Sequence, residues 1–141
     1  MSQTPKVFTI EEANRTLPLV RRIVADLIVL HPRWRAAVAA FEAAQAGVTA
    51  AAETETARTL RLEAGRLAGE IEACLDELGQ IGCIFKDFEA GLIDFPAFIE
   101  DRMVYLCWRQ GEARIEHWHE LDSGFAGRRP LDHDLLPVTN S

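Results

Sequence analysis

Side chains with chemical reach concentrate in two stretches of the second half of the chain. The first is Cys107-Trp108-Arg109-Gln110-Gly111-Glu112. The second is His117-Trp118-His119-Glu120-Leu121-Asp122, followed by Gly124-Phe125-Ala126-Gly127-Arg128-Arg129. If His117-Trp118-His119 is extended, its two imidazoles share a face, because side chains alternate along a strand. Cys107, on a preceding strand, has the period to face the same way. Two imidazoles with a thiol or a nearby carboxylate form a donor set for a transition metal such as zinc or iron. The competing reading makes one histidine a surface residue and the other a hydrogen-bonded structural one. A two-residue H-x-H spacing is too permissive to decide between them.

The glycine-bracketed loop that carries Arg128 and Arg129 suggests a different chemistry. Guanidinium is a planar fork that matches carboxylate or phosphate. With Arg128 holding a small anion, His119 would serve as acid or base, assisted by Glu120 or Asp122. The same fork would equally bridge to an internal carboxylate and fix the tail. Lys86, Asp87 and Glu89 add charge ahead of Gly91-Leu92-Ile93-Asp94-Phe95-Pro96, where turn chemistry accounts for most of the acids. The candidate ligand set is therefore Lys86, Asp87, Arg109, Glu112, His119, Glu120, Asp122 and Arg128. The candidate metal set is His117, His119 and Cys107. No phosphate-binding G-x-x-x-x-G-K-[ST] loop, G-x-G-x-x-G, G-x-S-x-G or H-E-x-x-H occurs. Catalysis is left open, and no cofactor is indicated.

Two kinds of element must position these groups. Thr9 followed by Glu12 has capping-box spacing and opens a helix, with Phe8 and Ala13 as a staple. Ile10, Ala13, Leu17, Val20, Val24, Leu27, His31, Trp34, Val38 and Phe41 then alternate steps of three and four, a heptad seam. Pro18 and Pro32 are expected to kink or split this helix. A loop near 47–53 leads to a second seam at Leu60, Ala64, Leu67, Ile71, Cys74 and Leu78, with Gly79 as the stop. Two seamed helices joined by a short loop make an antiparallel hairpin, about residues 10–79. Its open end brings Gly79 back to the Leu17–Val20 region.

From Ile81 the period changes to two. Residues 81–87, 92–95, 103–109 and 114–120 read as strands, separated by Gly91, Pro96 and Gln110-Gly111. They form a small antiparallel sheet over about 81–120, packed at the open end of the hairpin. The tail, 121–141, reads as irregular. The fold class is α+β, in one domain of 141 residues. Trp108 and Trp118 are expected in the core, and His31 is expected to be buried and satisfied. Ile23, Ile28, Val29 and Leu30 lie outside the first seam. They call for cover from the C-terminal segment or from a second copy, hence a homodimer.

Bulk properties narrow the classes. The formal net charge is −7, which disfavours binding to a phosphate backbone. It is carried by residues 47–141, while residues 1–46 are slightly basic. No apolar run approaches the roughly 20 residues that span a bilayer, and the short polar start is not a signal peptide. Three cysteines without a C-x-x-C pair suggest reduced thiols and a cytoplasmic location.

Several motifs resemble those of the bacterial proteins grouped as domain of unknown function 2203. They are Phe8-Thr9-Ile10-Glu11-Glu12-Ala13-Asn14 with Leu17-Pro18, Gly82-Cys83 with Lys86-Asp87, and Gly91-Leu92-Ile93-Asp94-Phe95-Pro96. Val104-Tyr105-Leu106-Cys107-Trp108-Arg109, Gly111-Glu112, Trp118-His119, Gly124-Phe125 and Arg128 continue the pattern. The resemblance spans nearly the whole chain and implies no particular activity. Its polar signature points to the same region. Three classes follow: a homo-oligomeric binding or scaffold module, a site for a small anionic ligand using His119 and Arg128, or a metal site through His119 with His117, Cys107 or a nearby carboxylate.

Overall fold

The computed structural model describes residues 6–49 and 52–131. Residues 1–5, residues 50–51 and the tail beyond 131, which the sequence reads as irregular, lie outside the described residues. Helix α1 spans Ile10–Gln45 and α2 spans Glu55–Ile81; the two pack together as the expected hairpin. Thr9 and Glu12 form both halves of the capping box, with Glu12 N–H donating to Thr9 Oγ1 at 3.0 Å and Thr9 N–H to Glu12 Oε1 at 2.9 Å. Thr54 caps α2 with one half of that arrangement, its Oγ1 accepting from the Ala57 amide at 3.1 Å.

Of the two outcomes expected at Pro18 and Pro32, the split does not occur: α1 runs as one helix through both prolines. Both prolines are exposed, so the carbonyls that lose their donors lie on the solvent side, where water can satisfy them. Likewise α2 does not stop at Gly79. It continues to Ile81 and ends at Gly82, whose amide donates to the Leu78 and Gly79 carbonyls.

Five antiparallel strands follow in the order β1-β2-β3-β4-β5: Ile84–Asp87, Leu92–Ile99, Arg102–Arg109, His117–His119 and Arg129–Pro130. Three sequence expectations change here. Pro96 does not end β2 but lies inside it. Its carbonyl accepts the Phe8 amide at 2.8 Å, on the side that β1 leaves open. A strand residue's N and C=O point the same way, so the missing proline donor takes nothing from the β3 ladder. Strand β2 turns into β3 through Glu100-Asp101, both with positive φ, as a two-residue hairpin demands. The fourth strand is shorter than expected, and the tail contributes a fifth, preceded by a short 3-10 turn at Phe125–Gly127.

Alternation divides the sheet into two faces. Ile93, Phe95, Ala97, Ile99, Val104, Leu106, Trp108 and Trp118 join Leu17, Val20, Val24, Leu27, Leu67 and Leu78 in one apolar core. Phe8 packs edge-on against Phe95, with ring centroids 5.1 Å apart. Asn14 ties helix to sheet, its Oδ1 accepting from the Ile115 amide at 2.8 Å. His31 stacks on Phe88 at 3.9 Å. Ile23 and Leu30 are buried within the chain and Ile28 packs on the core, while Val29 stays exposed. Most of the wide apolar face on α1 thus has internal cover. Among the described residues no helix is long and apolar enough to cross a membrane.

Candidate functional site

The second face of the sheet is polar. Its inward positions are set by register: Asp94 lies opposite Cys107, Cys107 opposite His117, and Tyr105 opposite His119. Three strands therefore bring an acid, a thiol and an imidazole together. Asp94, Cys107 and His119 are each at least 97% buried, and one donor atom from each lies within 4.8 Å of the other two. Asp94 and His119 are the buried polar side chains of the described chain.

The orientation of His119 follows from its partners. Nδ1 lies 2.7 Å from the Glu120 carbonyl oxygen, which can only accept, so Nδ1 carries the hydrogen. Nε2 is then aimed at the Asp94 carboxyl, 2.9 Å away. One proton bridges that contact. Burial pushes the Asp94 carboxyl above its ordinary range, against the opposing pull of the His119 hydrogen bond. Burial and the neighbouring Asp94 charge push the Cys107 thiol up to about 12, which keeps it protonated and non-nucleophilic at neutral pH.

These three residues line the wall of a cavity of about 300 Å³, together with Lys86, Asp87, Leu92, Tyr105, Leu121, Gly124 and Phe125. The residues after β4 form its roof. Asp87 also serves the β1–β2 turn, accepting from the Ala90 amide at 2.6 Å.

The other sequence candidates lie elsewhere. Arg128 does not line the cavity. Its Nη2 donates to both Glu112 oxygens at 2.9 and 2.7 Å and to His117 Nδ1 at 2.6 Å, beneath the Phe125 ring. The arginine is thus an internal clasp between the roof and the β3–β4 turn, as the carboxylate-bridging alternative had it. His117 shares the face of His119 but is taken up by Arg128, so it does not join the metal-type cluster. Arg109 is exposed, and its amide donates to Glu112. Glu120 pairs with Arg102 and meets His119 only through its backbone, while Asp122 is exposed. Asp94 and Tyr105 lie in the motifs that carry the family resemblance but were absent from the candidate ligand and metal sets. A carboxylate between Ile93 and Phe95 on a strand with two core-facing neighbours was the available signal.

A buried Asp-Cys-His set opening on a cavity is carried on the outer face of an α+β hairpin-and-sheet fold. The chain belongs to the family described as uncharacterized conserved protein (DUF2203), whose family model matches residues 6–131. No curated protein and no solved structure matches it.

Proposed function

We propose that the chain binds a divalent transition metal of the zinc class through Asp94, Cys107 and His119. The observation that carries this reading is the fixed tautomer of His119. Its Nδ1–H is committed to a backbone carbonyl, and Nε2 is presented to an acid and a thiol within 4.8 Å. Metal-ligating histidines are typically held in this way. Carboxylate, thiolate and imidazole together suit zinc better than magnesium or calcium. A tetrahedral zinc spaces nitrogen and oxygen donors roughly 3.3 Å apart, and sulfur slightly further. The Asp94–His119 contact at 2.9 Å would open by a few tenths of an ångström, and Cys107 would close in by side-chain rotation. An ionised Asp94 and a metal-bound thiolate would cancel the charge of the dication.

The reading is tested by loading untagged protein with cobalt(II). Binding through Cys107 gives a sulfur-to-cobalt charge-transfer band at one equivalent, and Cys107→Ser abolishes that band. The same band in Cys107→Ser, or no stoichiometric uptake of zinc or cobalt, overturns it. The homodimer reading lacks such an observation, since Ile23, Ile28 and Leu30 are covered within the chain.

A further inference from the structure

We propose that the same centre takes a small monocarboxylate with a short apolar body, bound at the metal's open position and paired with Lys86. The inference rests on the metal reading. Three protein donors leave one position of a tetrahedral ion for an exogenous ligand, the arrangement that separates open zinc sites from closed structural ones. The described donors all line one cavity, so that position opens into it. At about 300 Å³, the cavity is at the small end of ligand sites.

Its walls specify the rest. Leu121 and Phe125 supply apolar surface from the roof, and Leu92 from the sheet. Lys86 is the cavity's cation, and among the described residues it makes no ion pair. The Asp87 carboxyl is the opposing charge, but its Oδ2 is turned to the Ala90 amide and it makes no ion pair with Lys86. With a dication neutralised by Asp94 and Cys107, and Asp87 offsetting Lys86, the cavity would be close to neutral, and the ammonium of Lys86 would still lack a direct partner. A monoanion satisfies it, whereas a phosphate dianion brings excess charge into a partly apolar pocket. Arg128, held by Glu112 and His117, does not line the cavity.

The cobalt(II) protein reports both layers. Benzoate, butyrate and inorganic phosphate are titrated separately while the visible d–d bands are followed. Benzoate or butyrate is expected to shift those bands saturably. Replacing the lysine charge in Lys86→Met is expected to weaken that binding about tenfold, and the surface variant Lys6→Met to leave it unchanged. A normal charge-transfer band with no response to either carboxylate overturns the ligand inference and leaves the metal reading standing. Tighter binding of phosphate, or equal binding by Lys86→Met, overturns it as well. Absence of the charge-transfer band removes the metal and this inference together.

Discussion

Gly91 lies where the site-bearing sheet meets α1, and the cost of adding one methyl group there follows from geometry. Its φ is +69°, and a Cβ would fall 2.8 Å from Gln110 Cβ and 2.9 Å from both Ile28 Cδ1 and Val24 Cγ1. Real Cβ atoms do not come that close. Gln110 Cβ is fixed to backbone, and Val24 is fully buried in a helix, where its rotamer is stiff. Only Ile28 can swing its terminal methyl away. The backbone cannot easily move either, since the Gly91 amide donates to Asp87 and its carbonyl accepts from Gln110, both at 3.0 Å. Gly47 is the natural comparison, with φ +75° and nothing within 4 Å of the added atom. Left-handed strain costs about 1–2 kcal/mol in either variant, and overpacking adds about 1–3 kcal/mol at Gly91 alone. Gly91→Ala is thus expected to lose about 2–5 kcal/mol and Gly47→Ala about 1–2 kcal/mol. With a urea m-value of about 2 kcal/mol/M, the midpoints should fall by about 1–2.5 M and about 0.5–1 M respectively. Equal midpoint losses would refute the claim that packing against α1 holds this corner.

Thr9→Ala should lower stability by about 1 kcal/mol in urea denaturation, through loss of the α1 cap. The Thr9 amide holds the Glu12 carboxyl below its ordinary 4.5, so its contribution is present above that value and is lost as pH falls through the depressed one. Thr9→Pro, which removes that amide, should remove this part of the acid dependence. Arg128→Met breaks the clasp to Glu112 and His117. It should cost on the order of 1–3 kcal/mol and speed amide exchange across residues 121–128, while exchange in β2 stays slow. Zinc binding should release about two protons near neutral pH, one from the Cys107 thiol and one from the Asp94–His119 contact. Calorimetry in buffers of different ionisation enthalpy counts them, and zero release would contradict the assigned donor set.

The helices were readable because their signals are local. A cap, a three-four seam and a loop each act within one turn, and Thr9, Leu17, Val20, Leu67 and Leu78 all take the expected roles. The boundaries that moved depend on context. Pro18 and Pro32 are tolerated because they face solvent, and Pro96 because its blocked side has no strand to serve. Strand β5 is two residues long and has no period to read. In the site, period two correctly placed His117 and His119 on one face. What it could not give was cross-strand register. Register pairs Asp94 with Cys107 rather than leaving it to a turn, and it hands His117 to Arg128. Arg128 offered two uses of one geometry, and only the position of Glu112 in space selected between them.

Because β2 alternates Ile93, Asp94 and Phe95 between two faces, Ile93 and Phe95 belong to the core while Asp94 belongs to the cavity. Shifting the pairing by one residue would exchange those assignments along the whole strand. Asp94 would be driven into the apolar layer against α1 without His119 to meet it, at a cost of several kcal/mol. Ile93 and Phe95 would be left on the outer face. The cluster therefore proofreads its own assembly. A mispaired chain would lose both its packing and the Asp94–His119 contact, so proteolysis of unstable chains would also remove those without the cluster.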